Sequence, residues 1–121
     1  MIAILDASVV LKWFHAEPDS AIAEPVRRAM LDGSLFVRVP NLMHYEVLNV
    51  LVWKERYGAD AAIEAMWAME RLPWYVAHPS QKLFATAVAI ADRCRTSVYD
   101  AVYVALAMEC GVPDRVAHVI A

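Results

Sequence analysis

Three acidic side chains stand out among the 14 Asp and Glu residues of this 121-residue chain because of their apolar neighbours. Asp6 directly follows the apolar run of residues 1–5, Glu46 lies inside an apolar helical pattern, and Asp100 precedes an apolar stretch. A carboxylate buried without a partner is strongly destabilising, so Glu46 implies a cation or a wet cleft. Carboxylate oxygens are suitable ligands for Mg²⁺ and Mn²⁺. The three acids therefore predict a site for one of these cations if the fold brings them together.

Each of these acids also has a purely structural explanation. Asp6 is a suitable N-cap for the short helix that follows it. Glu46 could pair with an arginine on a groove-facing helix surface, and Asp100 completes a pattern like a capping box with Ser97. Only the combination favours a metal site, because clustered carboxylates repel one another at neutral pH unless protons or a divalent cation compensate.

Several other chemistries lack the motifs that they require. The four histidines show no HxxxH spacing and the two cysteines no CxxC pattern, which argues against a zinc site. The sequence contains neither a glycine-rich phosphate loop nor a GxSxG motif. A receiver domain phosphorylated at Asp6 would need an acidic pair on the first strand, an acceptor aspartate on the third and a lysine on the fifth, and the sequence does not fit that pattern.

Composition narrows the class of protein further. Hydrophobic residues make up 60% of the chain and charged residues 21%, which excludes disorder and predicts a single domain over residues 1–121. No run reaches the roughly 18–20 apolar residues of a bilayer span, and a signal peptide's basic start is absent, so we expect a cytoplasmic protein without membrane association. The net charge of −3 argues against a protein that coats nucleic acid but permits a nuclease with an acidic pocket.

Hydrophobic periodicity and turn residues predict strands that alternate with helices. The predicted strands are 1–5, 35–39, 74–77 and 116–120. The predicted helices are a short one beginning at Asp6-Ala7-Ser8, then 18–33, 41–57 with Asn41 as its cap, 59–71, 79–93 and 98–110. Strands this apolar must be covered on both faces, which indicates a parallel sheet between two layers of helices. In such sheets the functional crevice lies beyond the carboxyl ends of the strands, where Asp6 is expected.

Three segments carry a resemblance to a known family. They are Ile4-Leu5-Asp6-Ala7-Ser8-Val9-Val10-Leu11-Lys12-Trp13-Phe14, then Pro40-Asn41-Leu42 leading to Glu46-Val47-Leu48-Asn49-Val50-Leu51, and finally Tyr99-Asp100-Ala101-Val102-Tyr103-Val104-Ala105-Leu106-Ala107. In their order and spacing, over residues 1 to about 113, they closely resemble a PIN-domain ribonuclease of the VapC toxin type.

The resemblance implies both a fold and a function. The fold is a PIN-like three-layer α/β/α sandwich with a short, mainly parallel central sheet, and the function is metal-dependent endonucleolytic cleavage of RNA by the toxin of a toxin–antitoxin pair. Asp6, Glu46 and Asp100 are the implied catalytic and metal-binding acids, with Ser8 and Asn49 lining the same pocket. The implied cofactor is Mg²⁺ or Mn²⁺. The implied partners are an RNA substrate, a cognate antitoxin protein and a second copy of the chain in a homodimer.

The resemblance breaks off near the C-terminus. The family usually continues after Gly-Val-Pro with a strand and a Thr-x-Asp segment that carries a fourth acid, whereas here Gly111-Val112-Pro113 runs directly into Asp114. Either that segment is deleted or it is missing between Pro113 and Asp114, and Asp114 is not at the offset of the fourth acid. The alternative function is therefore a catalytically impaired PIN-fold module that binds RNA or a protein partner.

An acidic pocket does not attract RNA by itself, so a nuclease needs a basic rim. The candidate rim residues, each also explained as an ordinary surface charge, are Lys12, Lys54, Arg56, Arg93 and Arg95. Trp13 and Tyr99 lie beside the acids in sequence and could stack on bases, although core packing suits Trp13 better.

Overall fold

Strands and helices alternate along the chain, as the hydrophobic pattern predicts. The structure, a computed structural model, describes residues 1–14, 20–112 and 116–117, with only the backbone for residues 20–22 and 116–117. The strands are β1 (Ile2–Leu5), β2 (Phe36–Pro40), β3 (Tyr75–Ala77) and β4 (Val116–Ala117). The helices are α1 (Ala7–Lys12), α2 (Ser20–Leu31), α3 (Leu42–Trp53), α4 (Ala59–Glu70), α5 (Gln81–Cys94) and α6 (Val98–Glu109).

The four strands form one parallel sheet in the order β3-β2-β1-β4. Ile4 of β1 is in register with Arg38 of β2, and Arg38 is in register with Tyr75 of β3. Because the pairings are parallel, the carboxyl ends of β1, β2 and β3 lie at the same edge of the sheet. Asp6 directly follows β1 and therefore lies at this edge, where the sequence predicts the functional crevice.

Helices cover the sheet in two groups. The first group is α1 to α4, in which α1 packs on α2 and α3, and α3 packs on α4. In the second group α5 packs along α6, and α6 lies on β1 and β2. The core between the layers contains large side chains that are fully buried: Ile4, Leu5, Met43, Leu51, Met69 and Leu106. This is the predicted three-layer α/β/α sandwich. Within the described residues, no helix is long and apolar enough to cross a membrane.

The long helix α3 differs from its prediction at both ends. It ends at Trp53 rather than at residue 57, because Arg56 adopts a left-handed conformation (φ 59°) and Tyr57 turns back so that its N–H donates to the Leu51 carbonyl at 2.8 Å. Asn41 is the N-cap of α3, as predicted, but its side chain makes no capping hydrogen bond. Its backbone is helical (φ −61°, ψ −23°) rather than extended as in most N-caps, and its backbone N–H donates to the carbonyl of Ala77 in β3 at 3.1 Å.

The bounds of the other elements agree closely with those predicted. Two parts of the predictions, the start of the 18–33 helix at residues 18–19 and the end of the last strand at residues 118–120, lie outside the described residues.

Candidate functional site

Asp6 lies where β1 ends and α1 begins. Its backbone is extended (φ −94°, ψ 175°), and its half-buried carboxylate caps the helix. The Oδ1 atom accepts hydrogen bonds from the backbone N–H of Ser8 at 3.0 Å and from the Ser8 hydroxyl at 2.5 Å. The prediction that Asp6 is the N-cap of the short helix is therefore confirmed. It also brings Ser8, one of the implied pocket residues, into direct contact with the carboxylate.

Glu46 is joined to α6 by a hydrogen bond that the sequence analysis did not predict. The hydroxyl of Tyr103 donates to Glu46 Oε1 at 2.5 Å, across 57 positions of sequence. Tyr103 is only 4% exposed, whereas Glu46 is half-buried. The signal available in the sequence was the spacing of Tyr103 from Asp100. Residues three apart lie on the same side of a helix, so the hydroxyl of Tyr103 could be expected near Asp100.

Electrostatics connects the three acids. Burial raises the pKa of the Glu46 carboxyl, and the charges of Asp100 and Asp6 raise it further, while the hydrogen bond from Tyr103 acts in the opposite direction. Burial and the contact with Glu46 also raise the pKa of Tyr103, so its hydroxyl keeps the proton that it donates. The charges of Asp6 and Asp100 therefore both act on the carboxyl of Glu46.

Asp100 and Asn49 are more exposed to solvent than Asp6 and Glu46. Asp100 is exposed in the first turn of α6, and its backbone N–H donates to the Ser97 side chain at 3.0 Å, as the capping explanation predicts. Asn49, one turn after Glu46 on α3, is also exposed. Among the described residues there is no group of three His, Cys, Asp or Glu side chains that could hold a metal ion. Metal ligation by the three acids therefore stays a prediction.

The chemistry of the donor set fits a hard divalent cation. All three side chains supply carboxylate oxygens, and the hydrogen bonds with Ser8 and Tyr103 use only Oδ1 of Asp6 and Oε1 of Glu46. Burial raises the pKa of the Glu46 carboxyl most, and the charges of Asp100 and Asp6 add repulsion to it. A divalent cation bound between the acids would remove that repulsion.

The two aromatic residues beside the acids have different surroundings. Trp13 stacks on Trp74, with ring centroids 6.0 Å apart, and its indole N–H donates to the carbonyl of Ala23 at 3.1 Å. This packing role is the one that the sequence favours for Trp13. Tyr99 is 64% exposed and lines an apolar groove with Leu42 of α3, among others, so its ring is accessible to a ligand.

Similarity to known proteins identifies the family. The family profile of the PIN domain matches residues 3–113, which is most of the chain. The chain belongs to the PIN domain family. Among curated proteins, none matches this sequence.

Solved structures share the PIN fold at low sequence identity. VapC20 of Mycobacterium tuberculosis, described as a toxin that cleaves the sarcin-ricin loop, is 20% identical with a TM-score of 0.72, over 93% of this chain and 85% of that chain. PAE2754 from Pyrobaculum aerophilum is also 20% identical, with a TM-score of 0.62, over 90% of this chain and 73% of that chain. A sequence identity of 20% establishes only that the fold is shared, so the function of this PIN domain is inferred from its own residues.

The PIN match ends where the sequence resemblance breaks off. Its last residue is Pro113, directly before the junction with Asp114. Both of these residues lie outside the described part of the chain, so the two explanations of the junction, a deletion or a missing segment, are not distinguished, and the prediction that Asp114 is not at the offset of the fourth acid stays a prediction. The three implied acids all lie within the matched range.

Proposed function

We propose that this PIN domain is a metal-dependent endoribonuclease of the VapC toxin type, which hydrolyses RNA phosphodiester bonds. The observation that carries the proposal is that the charges of Asp6, at the carboxyl end of β1, and of Asp100 both act on the half-buried carboxyl of Glu46. A divalent cation bound between these side chains would offset that repulsion and the cost of burying an ionised Glu46.

The proposed mechanism assigns a task to each side chain. Asp6, Glu46 and Asp100 would hold the cation, and Mg²⁺ or Mn²⁺ would activate water and neutralise charge that develops on the phosphate. Ser8 holds Oδ1 of Asp6, while Tyr103 holds Oε1 of Glu46. These two hydroxyls orient the carboxylates before the substrate arrives, which lowers the cost of reaching the reactive arrangement.

The RNA must approach an acidic edge of a chain with net charge −3. Four of the five candidate rim residues are exposed: Lys54, Arg56, Arg93 and Arg95. Their positive charges and the exposed ring of Tyr99, which directly precedes Asp100, support RNA binding by this chain, since phosphates are attracted by Lys and Arg, and bases stack on aromatic rings.

The proposal includes two protein partners and a cytoplasmic location, where RNA is accessible. The partners are a cognate antitoxin that blocks the acidic site and a second copy of the chain in a homodimer. The similarity to VapC20, described as a toxin, supports the antitoxin. Large apolar side chains that are exposed in the described part of the chain support protein contacts in general; they include Tyr45, Trp53, Trp67 and Phe84.

A catalytically impaired PIN module is the second candidate function. The observation that favours it is that none of the described acids forms a group of three that could hold a metal. Such a module would use the same fold to bind RNA or a protein partner without cutting, and it would bind Mg²⁺ weakly.

Metal removal tests the two functions against each other. Purified protein, free of antitoxin, should cut total RNA into discrete fragments with Mg²⁺ or Mn²⁺, and EDTA should abolish the cuts. Cleavage should return when the cation is restored, because the acids lack a charge partner without it. Fragment ends are mapped by primer extension. A folded, antitoxin-free protein that leaves RNA intact at every cation concentration would favour the non-catalytic module.

Replacing Tyr103 by phenylalanine should lower the rate of cleavage at saturating RNA by about 10- to 100-fold, the usual cost of removing a group that orients a metal ligand. The ring still fills the core, whereas Glu46 loses the hydroxyl that holds Oε1. A positioning role predicts a lower kcat, an almost unchanged KM for RNA and a higher Mg²⁺ requirement. Steady-state kinetics at several Mg²⁺ concentrations measures all three.

Tyr57→Phe is the matched control for this substitution. It removes a hydroxyl that donates to the Phe14 carbonyl at 3.0 Å, away from the acids. This variant should lose some thermal stability and keep its kcat. Equal kcat values for the two variants would mean that the Tyr103 hydroxyl is a packing group only.

A further inference from the structure

A second pocket lies on the face of the sheet that α6 covers, toward the β3 edge. Its volume is about 430 Å³, and its walls come from the three strands β1 to β3, the start of α5 and the end of α6. The lining residues that matter for its chemistry are Arg38, Tyr75, His78, Ser80 and Glu109. None of the three implied catalytic acids lines it.

The pocket contains a cation–π pair of an arginine and a tyrosine. Arg38 and Tyr75 are register partners on β2 and β3, and the guanidinium carbon of Arg38 lies 5.0 Å from the centroid of the Tyr75 ring. Within the described residues, Arg38 makes no ion pair. The ring therefore lies beside a positive charge that has no carboxylate partner among the described residues, and the planar fork of a guanidinium suits a phosphate.

An uncovered aromatic surface adjoins this arginine. Phe36 lies two positions before Arg38 on β2, so both side chains project from the same face of the sheet. Phe36 is 63% exposed and Tyr75 is 57% exposed, and both line a smaller pocket that also includes Arg38. Exposed aromatic rings around an arginine on a sheet face are the groups on which unpaired nucleic-acid bases stack.

The wall formed by the start of α5 has hydrogen-bonding groups of its own. His78 and Ser80 precede the helix, and Ser80 is its N-cap, where the positive end of the helix dipole lies. The opposite wall carries the carboxylate of Glu109, from the last turn of α6. The charge distribution therefore favours an anion on the strand side of the pocket, next to Arg38.

We infer that this pocket binds one nucleotide of single-stranded RNA, with its phosphate on Arg38 and its base against the surface of Phe36 and Tyr75. The inference rests on the proposed RNA substrate and adds a binding position outside the acidic site. His78 follows the end of β3, which is separated from the end of β1 by one strand, or about 10 Å across the sheet. His78 is thus a lining residue that borders the carboxyl edge, whereas Arg38 and Phe36 lie in the middle and at the start of β2.

Binding in EDTA tests the pocket independently of cleavage. The probe is a short fluorescein-labelled oligouridylate, and its affinity for the full chain is measured by fluorescence anisotropy at several salt concentrations. Arg38→Ala should bind about tenfold more weakly, and its salt slope should fall by about 0.7 because one phosphate contact is lost. Tyr75→Leu should also weaken binding. Glu109→Gln should bind about twofold more tightly, because a repulsive charge is removed.

Two controls make the test decisive. Arg71→Ala removes an exposed arginine at the end of α4, outside the pocket lining, and should leave affinity almost unchanged. Arg38→Lys keeps the charge and loses the planar guanidinium, so it replaces Arg38→Ala if that variant does not fold; it should bind more weakly with the wild-type salt slope. Circular dichroism checks folding.

The outcomes separate this pocket from the proposed nuclease. Equal affinity of the Arg38 and Arg71 variants, or no binding by the wild-type chain in EDTA, overturns the pocket. If Arg38→Ala loses binding while the wild-type chain cuts no RNA with any cation, the pocket is supported and the endoribonuclease is overturned.

Discussion

Replacing Asp6 by asparagine should reduce RNA cleavage by about 1,000-fold or more while the protein stays folded. Asparagine is as good an N-cap as aspartate, and its amide oxygen can accept both hydrogen bonds that Ser8 donates to Oδ1. The substitution therefore preserves the structural role of Asp6 and removes only its negative charge. A catalytic cation needs that charge, whereas a helix cap does not.

The matched control is Asp60→Asn, the same chemical change at an exposed position in the first turn of α4. Both variants and the wild-type chain are compared in single-turnover cleavage with Mg²⁺ and in thermal melts. We expect Asp60→Asn to cut at the wild-type rate. If Asp6→Asn also retains cleavage, capping is the whole role of Asp6 and the acidic site is wrongly assigned.

Local sequence signals account for most of the fold. β1 and β2 are short and apolar, as strands buried between two helical layers must be, and the structure buries Ile4, Leu5, Val37 and Val39 almost completely. Parallel order then follows from the alternation of strands with helices. The place of Asp6 at the carboxyl edge could be predicted because it depends only on where the apolar run ends.

The features that sequence analysis missed depend on contacts between distant parts of the chain. The early end of α3 is accompanied by a hydrogen bond from the Tyr57 hydroxyl to the carbonyl of Phe14, 43 positions away. Asn41 caps α3 without a side-chain hydrogen bond, and its backbone N–H is bonded to Ala77 in β3. The pairing of Tyr103 with Glu46 is likewise tertiary. Periodicity describes each helix separately, so it contains no information about such partners.

At the candidate site, structural and functional explanations do not exclude each other. Asp6 does cap α1, and the Asp100 backbone does bond to Ser97, yet the charges of both side chains act on Glu46. A cap places an acid at the end of a strand or the start of a helix, and these positions border the carboxyl edge of the sheet. Capping therefore helps to explain the position of Asp6, whereas Asp100 contributes only its backbone N–H to the cap formed by Ser97.

Replacing Glu46 by glutamine should abolish metal-dependent cleavage and at the same time stabilise the metal-free protein. Burial and the charges of Asp100 and Asp6 raise the pKa of Glu46, so the fold disfavours its ionised form. Glutamine has nearly the same shape, and its amide oxygen still accepts the hydrogen bond from Tyr103. Because Glu46 is only half-buried, solvent screening limits the gain to about 1 kcal/mol, or about 3–5 °C in Tm.

The sign of the pH dependence follows from the direction of this shift. A carboxyl whose pKa is higher in the folded state than its ordinary value of 4.5 binds more protons when folded than when unfolded. Its contribution to stability is complete below pH 4.5 and is lost as pH rises through the folded pKa. The Tm difference between Glu46→Gln and wild type, measured in EDTA, should therefore be small at pH 4 and grow toward neutral pH.

Glu64→Gln, on an exposed face of α4, supplies the control for the same chemical change and should leave both Tm and cleavage unchanged. Adding Mg²⁺ should raise the Tm of the wild-type chain more than that of Glu46→Gln, because only the wild type keeps the third carboxylate. A Glu46→Gln variant that melts below wild type at neutral pH in EDTA would show that the ionised carboxylate stabilises the fold. In that case repulsion among the acids would no longer support a cation site, and the non-catalytic module would become the better explanation of this PIN domain.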